Sequence, residues 1–435
     1  NRKRNNVSRP ERLSVRIRGA YQVTVYDALS GNCTAAESVK KDGWTCLTVD
    51  LYAEDSFLWR LDEQNAQQAA DEEAQIPGVS GKSEKTIIPE AARPLREGRP
   101  AAVYGLVAGP SGSTGKKGTM VYCIEEPDGF TMAEPNVLLL DRAQWKLNGG
   151  EWQAEEDILR IDNHIRALLG YPRRQDAFIQ PWRVREAPEK DVVTLRIKME
   201  SRVETGSLML ALERPEKIGI RWNGIPCPMP KREETGWFTD TFIRTVSVPG
   251  LKKGENELLL EVPFGQKTNL ENLFLLGEFG VCVLGTKSLV TAAPTELAFG
   301  DITRQGLPFY GGSITYSMHF EMDQEKDILV KVPHFTAPVL EVWIDGKSAG
   351  LIAFAPHTLS LGRVAAGRHS LEICACGNRF NSFGTLHNCN EEFKWYGPDS
   401  YRTVGDEWSE AWCLRPFGIL SRVEIWEGDR EHGDK

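Results

Sequence analysis

The 435-residue sequence lacks an excess of basic residues, since 52 Lys and Arg stand against 61 Asp and Glu, giving a net charge of −9. Nucleic-acid-binding surfaces need a basic field for the phosphates, so this balance excludes a nucleic acid as partner. The sequence also lacks long apolar runs, because its apolar stretches are only of strand length. A membrane-spanning helix needs about 20 apolar residues, so a membrane partner is excluded too.

Cysteine is sparse, and its pattern excludes a disulfide framework. The nine cysteines are an odd number scattered from Cys33 to Cys413. This pattern is typical of free thiols in a reducing compartment and predicts a cytoplasmic protein. The chain begins with Asn1 rather than Met. We therefore expect it to be part of a longer protein.

Helical periodicity is confined to one segment. Residues 155–169 place Ile158, Ile161, Ile165 and Leu168 on one face, with acidic residues at the start and Gly170 as the C-terminal cap. Nothing alternates strand and helix eight times, which excludes a (β/α)8 barrel within this chain.

Short alternating strands joined by Gly and Pro turns fill most of the sequence. Residues 314–320 alternate apolar and polar side chains, and a later strand, residues 339–344, ends on Asp345-Gly346. Asp-Gly between two apolar runs is a strong hairpin signal. Strands without intervening helices predict an all-β fold of tandem β-sandwich or jelly-roll domains, with one or two short helices.

The strand pattern occurs twice, about 120 residues apart. Residues 193–199, 208–212, 218–222 and 253–262 match 313–320, 328–332, 339–344 and 366–375. We therefore divide the chain into four parts: a small β-domain at 1–62, a linker or arm at 63–100, a first sandwich at 101–285 with the helix, and a second at 286–430. We expect the part from residue 298 onward to fold alone and the small domain to need a partner.

Several stretches resemble one family. Similarity to large bacterial multidomain glycoside hydrolases of the α-L-rhamnosidase and β-galactosidase type is seen in residues 301–312 with the strand that follows, 339–346, 371–373 ahead of 378–381, 414–420, 236–242, 273–281 and 19–31. The sandwiches resemble the galactose-binding-like jelly rolls of these enzymes of carbohydrate metabolism. The resemblance implies a catalytic barrel upstream in the same parent chain, which would be the partner of this region. No catalytic residue can be carried over, because the barrel that holds them is missing here.

Three functions remain open. The first is a non-catalytic β-sandwich region of a glycoside hydrolase that supports the catalytic domain and contacts an oligosaccharide or glycoside. The second is a complete small glycosidase whose carboxylate pair lies in this chain. The third is a stand-alone carbohydrate-binding or assembly protein.

Residues 378–412, here called the insertion loop, are the candidate carbohydrate contact. They show no strand alternation but are rich in aromatic and Asn residues and contain His387, and such side chains suit a polyhydroxylated ring. The predicted carbohydrate-binding residues are Asn381, His387, Trp395, Tyr396, Asp399 and Trp408. The alternative is that the aromatic residues of this loop form a satellite core against the sandwich.

No cofactor is predicted. Cys374-Ala375-Cys376 with His387 and Cys389 is the only metal-like constellation, but Cys-x-Cys is not the usual zinc spacing, so we expect core cysteines rather than zinc. A structural calcium ion is compatible with a sandwich edge, although no Asp/Asn loop signature is present.

Overall fold

Antiparallel strands dominate the computed structural model, which describes residues 11–26, 33–51, 58–63, 119–173, 188–228, 235–390 and 397–428. The described part contains 28 strands and two α-helices, which confirms the all-β prediction. Neither of these helices has the length and apolar character that crossing a membrane requires.

The N-terminal unit is a pair of three-stranded sheets, ordered β1-β5-β4 and β3-β2-β6. Its strands are β1 (Glu11–Arg18), β2 (Tyr21–Tyr26), β3 (Cys33–Ala35), β4 (Val39–Lys41), β5 (Trp44–Leu51) and β6 (Leu58–Glu63). Val23 and Leu47 are buried here, whereas Leu13, Leu58 and Leu61 are exposed. The core of this unit is therefore small.

Two strands, β7 (Met120–Ile124) and β8 (Gly129–Met132), precede the first sandwich. The elements of that sandwich are β9 (Asn136–Leu140), β10 (Arg142–Leu147), β11 (Gln153–Asp157), α1 (Ile158–Leu169), β12 (Asp191–Ser201), β13 (Leu208–Glu213), β14 (Gly219–Trp222), β15 (Ile225–Pro226), β16 (Gly236–Phe238), β17 (Asp240–Val248), β18 (Gly254–Phe264), β19 (Leu273–Gly277), β20 (Gly280–Leu284) and β21 (Lys287–Thr291). One sheet has the order β11-β10-β12-β18-β14-β15, with β21 also beside β12 and β20 beside β21. The other sheet has the order β16-β17-β13-β19-β9. Inward-facing Leu195 and Leu258 of one sheet meet Leu210 and Leu275 of the other in a single core.

The second sandwich combines strands from both sides of the first. Its later elements are β22 (Ile314–Met322), β23 (Lys326–Lys331), β24 (Leu340–Ile344), β25 (Lys347–Ile352), β26 (Thr358–Val364), β27 (Gly367–Ala375), α2 (Phe380–Phe383) and β28 (Val423–Glu427). Its sheets have the orders β25-β24-β27-β22-β8 and β26-β23-β28-β7. Strands β7 and β8 lie in the range assigned from sequence to the first sandwich, yet they pair with the second. A fragment starting at residue 298 would lack both strands, because they precede it in the chain. Sequence proximity does not reveal such long-range pairing.

The predicted repeat is present in the sheet order. In the first sandwich β10-β12-β18-β14-β15 follow one another as β8-β22-β27-β24-β25 do in the second. The two matching hairpins turn at Asn223-Gly224 and Asp345-Gly346, and all four residues have positive φ, between 49° and 81°. This is the left-handed backbone that two-residue hairpin turns require.

The helix starts later than predicted. Residues 153–157 form β11, so Glu155 and Glu156 lie on a strand rather than in the first helical turn. Asp157 is the N-cap, because its carboxylate accepts a hydrogen bond from the main-chain N of Arg160 at 2.9 Å. Gly170 ends the helix with φ of 70°, as predicted. The predicted apolar face is buried except at Leu168, which is 67% exposed.

Candidate functional site

Of the six residues predicted to bind carbohydrate, Trp395 and Tyr396 lie outside the described residues, and Asp399 lies in a 3₁₀ turn, Pro398–Arg402. Asn381 is buried in α2. Its Nδ2 donates to the main-chain O of Arg415 at 2.8 Å, and its Oδ1 accepts from the main-chain N of Arg415 at 2.9 Å. The Asn381 amide therefore ties two parts of the chain together.

His387 connects the insertion loop to the first sandwich through hydrogen-bond contacts. Its Nδ1 lies 2.7 Å from the main-chain O of Ser409 and its Nε2 lies 3.2 Å from Oδ2 of Asp141, which directly follows β9. The imidazole stacks on Trp408, with ring centroids 4.7 Å apart. His387 and Trp408 are thus brought together, and both contact neighbours within the protein.

Other parts of the insertion loop join the core of the first sandwich. Leu386 belongs to that core, and the ring of Phe383 lies 4.6 Å from that of Phe274 on β19. Trp412 meets Phe309 edge-on at 5.4 Å. For these residues the structure agrees with the alternative of a satellite core.

Two buried carboxylates face His387. Asp141 is 3% exposed and also accepts a hydrogen bond from Nε1 of Trp412 at 2.6 Å. Asp157, also 3% exposed, adjoins it, because the main-chain N of Ile158 donates to the main-chain O of Asp141 at 2.8 Å. These contacts connect β9, the start of α1 and the insertion loop.

Burial shifts the pKa values of this cluster. Burial and the charge of Asp141 raise the pKa of Asp157 to about 6, although the hydrogen bond from Arg160 and the charge of His387 oppose the shift. Burial disfavours the charged form of His387, but the hydrogen bond to Asp141 and its negative charge outweigh burial, so the pKa of His387 is raised. In the folded protein Asp157 and His387 therefore both hold a proton to higher pH than their ordinary pKa values would allow.

A cleft of about 360 Å³ opens beside this cluster, between β10, β11 and α1 on one side and the insertion loop on the other. Its charged and aromatic lining comprises Arg142, Trp145, Glu155, Glu156, Asp157, Arg160, His164, Trp408 and Glu410. Charged side chains of both signs therefore lie beside the indole of Trp408, whereas Trp145 is buried.

Arg142 is the centre of the polar network in the cleft. Its guanidinium lies 2.5 Å from Glu410 and 3.4 Å from Glu155. Glu410 also accepts from Nε1 of Trp408 at 3.0 Å. The hydrogen bond from Arg142 lowers the pKa of Glu410. Glu410 therefore stays ionised.

Arg160 extends from α1 and contacts the insertion loop. Its guanidinium lies 3.7 Å from the centroid of Trp408 and donates to the main-chain O of Thr403 at 2.9 Å. A cation over an indole ring is attracted by the ring quadrupole. The Trp408 ring is thus in contact with both Arg160 and His387, while the residue stays partly exposed at the cleft.

Sequence reasoning missed five of these residues: Asp141, Arg142, Asp157, Arg160 and Glu410. Four of them lie more than 200 positions before the insertion loop, so no local pattern connects them with it. One signal was present. Asp141 directly follows Val137–Leu140, four buried apolar residues, and a carboxylate at the end of such a run needs a partner.

The structure corrects the metal constellation considered from the sequence. His387 contacts Asp141, and the thiol of Cys389 donates to the main-chain O of Asp406 at 3.2 Å, so neither completes a site with Cys374 and Cys376. Glu341 takes that position instead. Burial, together with Glu341 and Cys374, raises the pKa of the Cys376 thiol to about 12.

No protein-family model matches the sequence, and no curated protein does. Solved structures similar to it include a rhamnosidase from Novosphingobium sp. PP1Y, at 17% identity and a TM-score of 0.23 over 56% of this chain and 23% of that one. A GH2 β-galacturonidase from Eisenbergiella tayi has 12% identity and a TM-score of 0.20 over 56% of this chain and 37% of that one. A β-D-mannosidase from Dictyoglomus thermophilum has 15% identity and a TM-score of 0.20 over 56% and 31%. The chain spans less than two fifths of these proteins, and values this low establish neither its fold nor its activity.

Proposed function

We propose that this chain is a non-catalytic β-sandwich region of a glycoside hydrolase, that it supports the catalytic domain, and that it binds a sugar in the cleft beside Trp408. The observation that carries the binding proposal is the cleft itself, about 360 Å³ in volume and lined by carboxylates and guanidinium groups beside the Trp408 indole. Small-molecule sites in proteins measure roughly 300–1,000 Å³.

The chemistry of the lining supports a sugar over other ligands. Hydroxyl groups both donate and accept hydrogen bonds, and the cleft offers acceptors at Glu155 and Glu410 and donors at Arg142 and Arg160. The part of the Trp408 indole that Arg160 and His387 leave exposed adds an apolar surface for C–H groups. An acidic or a basic ligand would meet like charges as well as opposite ones, because the cleft holds both signs.

We expect Glu410→Gln to weaken oligosaccharide binding by roughly 5–13-fold, because it replaces a hydrogen bond to a charged group, about 1.5–3 kcal/mol, by one to a neutral amide, about 0.5–1.5 kcal/mol. Isothermal titration calorimetry with a panel of neutral, acidic and amino oligosaccharides measures this change. Glu255→Gln is the matched control, since Glu255 is an exposed carboxylate paired with Lys198 away from the cleft. Equal affinities for the wild type and Glu410→Gln, or no binding of any panel member, would contradict the cleft proposal.

A second candidate function has one observation in its favour. Asp157, with a pKa of about 6, lines the cleft and adjoins Asp141, and glycosidases use a pair of carboxyl groups of which one has a raised pKa. Against it, Asp157 caps a helix and Asp141 binds Trp412 and His387, so both have structural partners.

We therefore expect the purified chain to hydrolyse no aryl glycoside between pH 5 and pH 8, the range in which a carboxyl group of this pKa would act. Release of nitrophenol from a panel of nitrophenyl glycosides is the measurement. Turnover that Asp157→Asn abolishes would establish the complete small glycosidase instead.

A further inference from the structure

Three potential metal ligands meet on the second sandwich, away from the cleft. Glu341 on β24 pairs directly with Cys374 on β27. Cys376 follows two residues later, and its main-chain N donates to the main-chain O of Val339 at 3.1 Å, which continues the strand pairing. Residues two apart on a strand lie on one face, as do directly paired residues on neighbouring strands.

The shared face is the outer face of the sheet. Leu371, Ile373 and Ala375, which alternate with Cys374, are fully buried in the core of the second sandwich, so the thiols project away from it. Cys374 is 8% exposed nonetheless, while Glu341 and Cys376 are partly exposed. The two sulfur atoms and one carboxylate oxygen all lie within 4.8 Å of one another.

We propose that Glu341, Cys374 and Cys376 bind one zinc-type transition-metal ion, with solvent as the fourth ligand. Zinc is bound tetrahedrally with zinc–sulfur distances of about 2.3 Å, which places two thiolates about 3.8 Å apart, within the spacing that the side chains already have. Thiolates select zinc and other soft ions over calcium and magnesium, which prefer oxygen ligands.

The position of the ligands on two strands explains why the spacing of the cysteines in the sequence does not indicate a zinc site. Short Cys-x2-4-Cys motifs bring two thiols together by a turn of the chain. Here the extended strand brings Cys374 and Cys376 to one face without a turn, and the third ligand comes from the neighbouring strand, 33 positions earlier than Cys374.

The test uses Co²⁺ as a spectroscopic probe on the full chain, purified metal-free with its thiols reduced. We expect one Co²⁺ per chain, with thiolate-to-cobalt charge-transfer bands and the visible bands of tetrahedral cobalt, and displacement by Zn²⁺. Cys374→Ser and Cys376→Ser should each weaken binding by more than about 100-fold, because losing even an outer-shell partner costs roughly 10–100-fold. Glu341→Gln should keep the charge-transfer bands and weaken binding by roughly 10–100-fold.

Cys282→Ser is the matched control, since Cys282 is an exposed cysteine on β20 of the first sandwich, and it should bind as the wild type does. Unchanged Co²⁺ affinity and spectrum in Cys374→Ser and Cys376→Ser, or no charge-transfer band in the wild type, would overturn the proposal. If the nearly buried Cys374 does not tolerate serine, as thermal melts without metal would reveal, then Cys376→Ser and Glu341→Gln decide the question with partly exposed side chains.

Discussion

Asp162→Ala is expected to lower the free energy of unfolding by about 3–5 kcal/mol, because the change leaves a buried guanidinium without its counter-charge. Asp162 and Arg166 lie on α1 with side chains 1% and 3% exposed, and Nε of Arg166 lies 2.7 Å from Oδ2 of Asp162. Arg166 also donates to the main-chain O of Gln266 and Thr268, and Asp162 accepts from the main-chain N of Leu270. The pair therefore fastens the helix to the turn between β18 and β19.

Urea denaturation followed by circular dichroism measures the effect of Asp162→Ala. The matched control is Glu255→Ala, which breaks the ion pair with Lys198, where the two side chains are 67% and 45% exposed. Exposed pairs contribute at most about 1 kcal/mol, so this control should stay close to the wild type. If both variants lose the same small amount, the buried pair does not fasten the helix.

The strand pattern and its repeat could be predicted because they depend on local chemistry. Alternation of apolar residues, as in 314–320, encodes which face is buried, and Asn-Gly and Asp-Gly encode the hairpin turns. The helix was located for the same reason. Its start was misplaced by three residues, because the choice between Glu155 and Ile158 as first helical residue depends on whether residues 153–157 pair with β10.

The pairing of β7 and β8 with the second sandwich could not be read locally. Ile314 pairs with Met132, and Val423 pairs with Ile124 almost 300 positions away. The candidate site has the same origin, since Asp141 meets His387 only because the insertion loop crosses onto the first sandwich. The composition of the loop singled out His387 and Trp408 as candidates, but the carboxylates and arginines opposite them are fixed by tertiary packing.

Asp157→Asn is expected to stabilise the protein by about 2 kcal/mol near pH 8. The folded pKa of about 6 lies above the ordinary value of 3.8, so above about pH 6 the fold bears the cost of a buried charge, roughly 3 kcal/mol for two pKa units. The interaction of the Asp157 carboxylate with the helix N-terminus stabilises the wild type by about 0.3–1 kcal/mol, and the neutral asparagine loses this contribution. Asparagine keeps the cap, because its carbonyl oxygen can still accept from the main-chain N of Arg160.

The pH dependence of this gain distinguishes its cause. As the pH falls, Asp157 of the wild type is protonated in the folded state at a higher pH than in the unfolded state. The free energy of unfolding of the wild type therefore rises as the pH falls from about 6 towards 3.8, and the advantage of Asp157→Asn disappears. The raised pKa of His387 acts in the same direction, since its stabilising protonated form is lost as the pH rises through the folded pKa. Melting temperatures of the wild type, Asp157→Asn and the exposed control Glu255→Gln, compared from about pH 4 to pH 8, measure these contributions. Lower stability of Asp157→Asn at pH 8 would mean that Arg160, His387 and the helix N-terminus stabilise the carboxylate more than burial penalises it, and the cluster would then hold its charge rather than a proton.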